Sequence, residues 1–298
     1  MKKFSLLVLA AVTSTLTVAQ TDSSASSVKF KMVEARISIG MFSNKNALSD
    51  IGYFNTLSGN QSTILPDNLT GYSEEYGGYR GSGLFSLQLG WIKKSKTTNT
   101  YNYNRFYRLG IDFYTPSIMN YSYLNEKTAR IDTLTSSQNG SSYYVDSVIT
   151  DYYNVSYNSS VLQVTFSTIY STSQAHQVTL YGGLEGAFGI TFNNYTSISN
   201  YKDFSNRITV ANNGSTYEQS FYNVEFTSSE TFRNKTGFTA ALGVPLGIDF
   251  RLGEKREFWK KLHLFSEVTP YISQFYIPEL FTHTITGIKK RFGLRVTF

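Results

Sequence analysis

The sequence predicts an all-β protein, a transmembrane antiparallel up-and-down β-barrel of eight strands, from three observations. Apolar residues alternate with small, polar or charged residues over many segments of strand length. The segments between them are alternately long and short, and aromatic residues, 16% of the chain, fall near their ends. Alternation with period two is typical of strands and excludes an amphipathic helix. A strand with one apolar face and one small or polar face is what a lipid-embedded barrel requires.

The clearest such segment is Phe238–Leu252. Every second residue from Phe238 onward is Phe, Ala, Leu, Val, Leu, Ile, Phe or Leu, so the pattern holds for fifteen residues. The positions between them are Thr, Ala, Gly, Pro, Gly, Asp and Arg, which have too little side-chain volume to fill an ordinary protein core. The apolar face therefore predicts contact with lipid, and the small polar face predicts a barrel interior.

Seven further segments show the same alternation, which gives an even number of strands. They are residues 30–42, 83–93, 107–113, 160–170, 176–193, 262–276 and 288–298. The connections are long at 43–80, 115–158, 195–234 and 277–288, and short at 94–100, 171–175 and 253–260. Bacterial barrels have long outer loops and short periplasmic turns, so we expect both termini on the periplasmic side.

Aromatic residues are expected to form a girdle at each end of the wall. The expected members are Trp91, Tyr107, Tyr170, Phe250 and Phe298 at the periplasmic end and Phe113, Phe192 and Phe238 at the outer end. Two long loops contain the hairpin signal Asn-Gly, at Asn139 and Asn213, so we expect hairpins that project beyond the membrane. Ten strands, with one of these hairpins in the wall, is the alternative. In the seventh strand Ser266 and Pro270 fall on the lipid-facing parity, which suggests a bulge.

The amino terminus predicts export. Lys2 and Lys3 precede the apolar run Phe4–Val12, and small residues lead to Ala19, so residues 1–19 are interpreted as a signal peptide. Residues 20–29 are then a flexible leader, and residues 30–298 form the barrel domain. The chain contains no Cys, which excludes a lipoprotein anchor, a thiol nucleophile and disulfides.

The charge balance argues against nucleic acid as a partner. The net charge is +6, and removal of Lys2 and Lys3 with the signal peptide leaves +4. The basic residues are distributed over turns and strands instead of forming one basic stripe.

Charged residues on the inward parity form the main candidate site. They are Arg36, Arg108, Asp112, Glu185, Asp249, Arg251, Glu267, Arg291 and Arg295. One interpretation is a polar plug of ion pairs, because charges removed from water require partners and an eight-stranded barrel has little internal space. The other interpretation is a small-solute pore, for which the many inward glycines would leave room.

Catalysis and metal binding have weaker support. His263, Ser266 and Glu267 offer the residue types of a lipid-modifying enzyme, but alternation places Ser266 on the face opposite to the other two. A nucleophile requires its base within hydrogen-bond reach. The histidines lack the spacing of metal ligands, so we expect no catalytic residue, metal or cofactor.

The outer loops offer two kinds of contact. Tyr residues among Ser, Asn and Gly resemble a recognition surface, although strand extensions use Tyr for structural reasons as well. They are Tyr72, Tyr76, Tyr79, Tyr121, Tyr123, Tyr143, Tyr144, Tyr152, Tyr153 and Tyr157. Lys289, Lys290 and Arg291 at the outer end of the last strand are either contacts for lipopolysaccharide phosphates or ordinary solvated charges.

The runs Gly243–Gly247 and Leu264–Pro270, the signal peptide and the terminal Phe298 resemble small outer-membrane β-barrel proteins of Bacteroidota, similar to the OmpA-type and OmpX-type eight-stranded barrels. The resemblance implies that the alternating residues Phe292, Leu294, Val296 and Phe298 are the signal for the barrel-assembly machinery. It also implies location in the cell outer membrane, with adhesion, envelope integrity, small pores and lipid modification among the family's functions.

We therefore expect a non-enzymatic outer-membrane barrel that acts in surface interaction or envelope integrity through its outer loops. Its expected partners are outer-membrane lipid including lipopolysaccharide, the barrel-assembly machinery and an extracellular ligand. The alternative is a small-solute pore, and a lipid-modifying enzyme is the third hypothesis.

Overall fold

A computed structural model describes residues 30–45, 51–66, 69–76, 80–94, 101–138, 140, 142–172, 176–210, 216–218, 226–253 and 255–298. The predicted signal peptide, the predicted leader, Asn139 and Asn213 lie outside the described residues.

Antiparallel strands make up most of the described chain. The strands are β1 (Phe30–Asn44), β2 (Ser73–Tyr76), β3 (Arg80–Lys94), β4 (Tyr101–Tyr114), β5 (Ser117–Thr135), β6 (Ser142–Ser171), β7 (Val178–Val210), β8 (Thr216–Glu218), β9 (Phe226–Arg233), β10 (Gly237–Gly243), β11 (Leu246–Arg251), β12 (Leu262–Ile277) and β13 (Phe281–Thr297). The helices are α1 (Ile51–Leu57) and α2 (Glu257–Lys261). Among the described residues, no helix has the length and the apolar character needed to cross a membrane.

Eight wall strands close into a ring. In order they are β1, β3, β4, β6, β7, a sixth strand made of β10 and β11 end to end, β12 and β13. Strand β13 pairs with β1 and completes the ring. The predicted transmembrane antiparallel barrel of eight strands is confirmed. The ten-strand alternative is wrong for the described residues, because β5 pairs with β2 and with the part of β6 that lies beyond the wall.

The sixth wall strand is interrupted at Pro245, which separates β10 from β11. Proline has no N–H to donate to a neighbouring strand, so the ladder stops there. Neighbouring backbone groups still bridge the gap. Val244 donates to the carbonyl of Pro270, and Gly183 donates to the carbonyl of Pro245, both at 3.0 Å. The outward alternation from Phe238 to Leu252 therefore continues across the break.

The hairpin of β12 and β13 differs from the prediction in two ways. Its register runs without a shift from Leu262 opposite Val296 to Ile277 opposite Phe281, so the expected bulge is not formed. Ser266 and Pro270 lie on the exposed outer face. The predicted loop 277–288 is wrong, since only residues 278–280 separate the two strands.

The outer face of the wall is apolar and exposed. Ile39, Leu184 and Leu242 each expose 67–69% of their surface. Aromatic rings lie on the same face, and Phe113 and Phe192 are 6.3 Å apart near the loop end. Phe30 and Phe298 lie at the opposite end of the barrel, where the short turns are also found. We call this end the turn end. Such an exterior is typical of strands embedded in lipid.

The strands β6 and β7 continue beyond the wall at the loop end. Residues 142–158 of β6 pair with residues 195–210 of β7 in continuous register. These two parts, with β2, β5, β8 and β9, form what we call the projecting sheet. The register shifts where it meets the wall, and Asn193 there has a φ of 49°. A bulge at this position bends the sheet relative to the barrel.

A hydrophobic cluster closes the loop end of the barrel, and we call it the mouth cluster. Phe54 and Leu57 of α1 are buried in it, although the sequence pattern gave no helix in this segment. Tyr121, Tyr123 and Tyr157 of the projecting sheet are buried there too. Other members are Phe42, Leu65, Leu84, Tyr114, Ile118, Met119, Val155, Val161, Ile198, Tyr271, Phe275, Ile277, Leu280 and Ile285.

Candidate functional site

Arg291 is the centre of a buried ionic network inside the barrel. Its Nη2 lies 2.6 Å from Oδ2 of Asp112 and 3.1 Å from Oε1 of Glu185. Its Nη1 lies 2.7 Å from Oε1 of Glu267. Each of these four side chains is at most 4% exposed. A guanidinium group has donors in a fixed planar arrangement, which suits several carboxylates around one cation.

The network extends toward the turn end through Glu267 and Glu34. Oε2 of Glu267 lies 3.1 Å from Nη1 of Arg36 and 3.0 Å from Nη1 of Arg108. Oε1 of Glu34 lies 2.8 Å from Nε of Arg108, and its Oε2 lies 2.6 Å from Nε of Arg295. Arg295 in turn approaches Asp249 at 3.2 Å. The chain of contacts thus links most of the predicted inward charges.

Two members of the network were not among the predicted site residues. Glu34 is fully buried, and Lys289 is 1% exposed with its Nζ 3.0 Å from Asp112 and 3.4 Å from Glu185. Lys289 and Arg291 are buried in the lumen, so both surface roles considered for them, lipopolysaccharide contact and solvated charge, are wrong, whereas the inward placement of Arg291 is as predicted. Lys290 alone of the three is exposed. With these additions, ion pairs join the five cations Arg36, Arg108, Lys289, Arg291 and Arg295 to the five anions Glu34, Asp112, Glu185, Asp249 and Glu267. The predicted Arg251 is half-buried.

Inward glycines make room for large side chains of other strands. An added Cβ on Gly247 would lie 2.2 Å from the Tyr181 ring, and one on Gly90 would lie 2.3 Å from Cγ of Glu34. The hydroxyl of Tyr181 accepts a 2.7 Å hydrogen bond from Arg36. The guanidinium carbon of Arg36 also lies 3.5 Å from the centre of the Phe265 ring. At these positions protein atoms fill the space that glycine leaves.

Apolar side chains lie on both sides of the network. Toward the turn end, Val33, Ile92, Phe106, Ile169 and Tyr181 form a second buried cluster. Toward the loop end lies the mouth cluster. The ionic network of the described lumen therefore has a hydrophobic cluster on each side and includes buried neutral polar side chains such as Gln88, Gln163 and Thr165 around it. Such an arrangement lowers the dielectric constant around the ions and makes an unpaired charge costly.

The three residues considered for catalysis are not brought together. His263 faces inward, and its Nδ1 is hydrogen-bonded to Oδ1 of Asp249. Glu267 faces inward and binds arginines, whereas Ser266 lies on the exposed outer face. Arg251 occupies the inward parity opposite His263. Among the described residues, no group of His, Cys, Asp and Glu is arranged to hold a metal ion.

One face of the projecting sheet carries ion pairs in water. Arg207 donates to both carboxylate oxygens of Glu126, at 2.9 and 3.2 Å, and these hydrogen bonds hold the pKa of Glu126 below its ordinary value. Arg130 lies 3.1 Å from Asp146 and stacks on Tyr144, with its guanidinium carbon 3.7 Å from the ring centre. These contacts cross three neighbouring strands, so they hold β5, β6 and β7 in register.

The other face carries a row of apolar residues, which we call the distal apolar row. Leu134 is opposite Tyr143, and Tyr143, Val145 and Ile149 lie on that face of β6, with Ser147 between Val145 and Ile149. The partners of Val145 and Ile149 on β7 are Ile208 and Phe204. Leu134 is 49% exposed, and the other five are half-buried.

The base of the same sheet is fixed to the segment after α1. The hydroxyl of Tyr72 donates a 2.7 Å hydrogen bond to Asp151, and burial together with this bond raises the pKa of Tyr72. Glu230 of β9 accepts hydrogen bonds from Ser62 and Thr63. The predicted loop tyrosines therefore divide into buried ones in the mouth cluster and half-buried ones such as Tyr143 and Tyr144. Tyr79 and the side chain of Tyr76 lie outside what is described.

The fold and the lumen together define a closed eight-stranded transmembrane β-barrel with a buried ionic network in its interior. No family model matches the chain, and the search of curated proteins gives no match.

Among solved structures, the chain is similar to Ail, the attachment invasion locus protein of Yersinia pestis, whose structure was solved in complex with the heparin analogue sucrose octasulfate. The TM-score is 0.26 and the sequence identity is 11%, and the match covers 89% of this chain and 99% of that chain. It is also similar to the outer membrane protease OmpT of Escherichia coli, with a TM-score of 0.26, 8% identity and coverage of 94% and 100%. These scores are low, and the barrel assignment rests on the closed pairing of the wall strands.

Proposed function

We propose that this protein is a non-enzymatic outer-membrane barrel whose projecting sheet binds an extracellular protein. The observation that carries the proposal is the continuation of β6 and β7 from the wall into the sheet. Residues 142–158 extend roughly 50 Å at about 3.3 Å per residue. Wall strands that continue so far provide a rigid support for a binding surface outside the membrane.

The packed lumen supports a function outside the barrel. Ten charged side chains are paired within it, and hydrophobic clusters lie on both sides. A conducting pore requires a continuous path of water, and this arrangement favours a closed barrel. Conductance of the folded chain tests the pore alternative directly.

The distal apolar row is the proposed contact surface. Tyr143 and Phe204 supply stiff aromatic area, and Ile149 and Ile208 add apolar area on the same face. Ser and Asn residues around them adapt to the partner by hydrogen bonding. Protein recognition surfaces combine rigid aromatic residues with small polar ones in this way.

Location and orientation belong to the same proposal. The exposed apolar belt fits the hydrocarbon region of an outer membrane, with both termini in the periplasm and the projecting sheet outside. Phe292, Leu294, Val296 and Phe298 all lie on the exposed outer face, where the barrel-assembly machinery would read them. Exposed Lys290 is the remaining candidate for lipopolysaccharide. The resemblance to OmpA-type and OmpX-type barrels of Bacteroidota supports this assignment.

The test uses bacteria that display the chain and measures their adherence to immobilised matrix glycoproteins and to an epithelial cell layer. The variant Tyr143→Ser/Phe204→Ser removes the aromatic area of the distal apolar row. The control Tyr144→Ser removes a tyrosine from the opposite face. We expect the double variant to lose most of the adherence and the control to keep it. Equal adherence of the double variant and the control variant would contradict the proposal. So would adherence of the parent protein that is no greater than that of cells without the protein.

A further inference from the structure

The turn end carries a basic and aromatic surface of its own. The turn between β11 and β12 contains α2, whose Phe258 is 67% exposed and whose Trp259 is 43% exposed. Residues 253–261 carry the cations Lys255, Arg256, Lys260 and Lys261 against the carboxylates Glu254 and Glu257. Exposed aromatic rings beside lysines and arginines are typical of chain segments at a membrane surface.

A cavity of about 600 Å³ lies at this turn. Its lining consists of Gln177, Leu252, Gly253, Lys255, Arg256 and Trp259. Leu252 ends the outward apolar row of the sixth wall strand and is 39% exposed, so the cavity borders the lipid-facing surface. One side of the cavity is thus apolar and the other side is cationic.

The two cations of the cavity differ from Lys260 of the same turn. Lys260 lies 2.8 Å from Glu257, so its charge is compensated locally. Among the described residues, no ion pair is formed by Lys255 or Arg256. Gly253 lies directly below Trp259, since an added Cβ there would be 2.7 Å from the tryptophan Cβ. This close approach holds the indole at the wall of the cavity beside the two cations.

We propose that this cavity binds the phosphate headgroup of an anionic phospholipid in the membrane leaflet next to the turn end. Lys255 and Arg256 bind the phosphate, the Gln177 amide contributes hydrogen bonds, and the Trp259 ring lies at the level of the headgroup. The acyl chains continue along Leu252 and the apolar outer wall. The inference rests on the proposed membrane location only in one respect, namely which leaflet supplies the lipid. Lipid binding itself can be measured in any bilayer.

The experiment uses Trp259 as a local reporter. The chain has two tryptophans, Trp91 and Trp259, so Trp91→Phe leaves Trp259 at the cavity as the single tryptophan. The folded variant is reconstituted into vesicles of phosphatidylcholine that contain either brominated phosphatidylglycerol or brominated phosphatidylcholine. Bromine on the acyl chains quenches a tryptophan next to them, and the ratio of quenching gives the relative affinity for the two lipids.

We expect the cavity to prefer phosphatidylglycerol over phosphatidylcholine. Each of the two cations should change the affinity for phosphatidylglycerol on the order of five-fold. In the Trp91→Phe background, Lys255→Gln/Arg256→Gln should reduce the ratio to near one. Lys93→Gln/Lys94→Gln removes the same charge from another turn at the same end and should leave the ratio unchanged.

Three results would overturn the inference. Equal quenching by both lipids in the folded Trp91→Phe barrel would show that the cavity does not select the headgroup. Equal loss in the two double variants would assign the effect to diffuse surface charge. Release of the lipid by millimolar glycerol phosphate would show that the cavity takes a free phosphate compound instead. Surface adherence is measured separately, so failure here leaves the projecting sheet untouched.

Discussion

The strands β6 and β7 pass through two environments, and the comparison shows what the surroundings demand of one strand. In the wall, Leu162, Val164 and Phe166 are exposed on the outer face, while Gln163 and Thr165 are buried in the lumen. In the projecting sheet, most residues of β6 are half-buried on both faces. Lipid enforces a strict alternation, whereas water on both sides tolerates mixed faces.

The ions of the two regions differ in the same way. Arg291 has no exposed side-chain surface and contacts three carboxylates, whereas the Arg130 side chain in the projecting sheet is 53% exposed. Removal of one partner from a buried group leaves uncompensated charge, but exposed pairs contribute little because water replaces the lost partner. The lumen network should therefore control stability, and the ion pairs of the sheet should mainly fix its register.

The largest effect is expected for Arg291→Met. The substitution leaves Asp112, Glu185 and Glu267 without their shared cation, and we expect the free energy of unfolding to fall by about 3–5 kcal/mol. Urea unfolding of the barrel in lipid vesicles measures the change. Arg130→Met is the matched control in the projecting sheet and should cost less than about 1 kcal/mol. Similar losses for the two variants would remove the distinction between the regions.

The next effect concerns the outer face. Leu184 is 69% exposed on the wall, and Leu184→Arg should cost about 2–4 kcal/mol if the position lies near the bilayer midplane. The exposed Leu134 of the projecting sheet is the control, since arginine there remains in water. Equal tolerance of arginine at both positions, measured by unfolding in vesicles, would argue against a lipid-facing wall.

A smaller effect is expected from filling the lumen. Gly247→Val would force the Tyr181 ring away and weaken its contact with Arg36, at a cost of about 1–3 kcal/mol for overpacking. Gly186→Ala is the control, because the nearest atom to an added Cβ there is a flexible leucine methyl group at 3.9 Å. If Gly247→Val unfolded at the same urea concentration as the parent, the lumen would have more free space than the contacts indicate.

The smallest effect concerns pH and the projecting sheet. Hydrogen bonds from Arg207 lower the pKa of Glu126 in the folded state, so this contribution to stability is present above the ordinary pKa of glutamate and is lost as pH falls through the lowered value. Hydrogen exchange of the β5 and β7 amides should accelerate in that acidic range. The corresponding fall in the free energy of local opening should be at most about 1 kcal/mol. In Glu126→Gln this part of the pH dependence should disappear, and its persistence would assign it to another group.

The wall could be predicted from sequence because lipid imposes period two on every membrane strand. The same reasoning did not find the outer part of β13, where Thr282, Thr284 and Thr286 face outward and remove the apolar signal. Lys289 was assigned to the surface because a cation at a strand end is usually solvated, although strand parity already placed it beside Arg291.

The contacts inside the lumen could not be predicted in the same way. Gly247 and Tyr181 face each other across neighbouring strands, and Gly90 accommodates Glu34, but such pairs depend on the register between strands. The mouth cluster joins α1 to distant strands, and about half of its residues lie in the segments 43–80 and 115–158, which are polar overall. Composition and alternation describe one strand at a time, so packing between strands requires the structure.

We propose that the lumen is closed and that the protein acts through its projecting sheet. Planar-bilayer conductance of the refolded mature chain tests it most directly, once heat-modifiable gel migration has shown that the barrel is folded. We predict no steady conductance, because paired ions and two hydrophobic clusters fill the described interior. Steady, ion-selective openings from the folded barrel would contradict the account and would favour a small-solute pore.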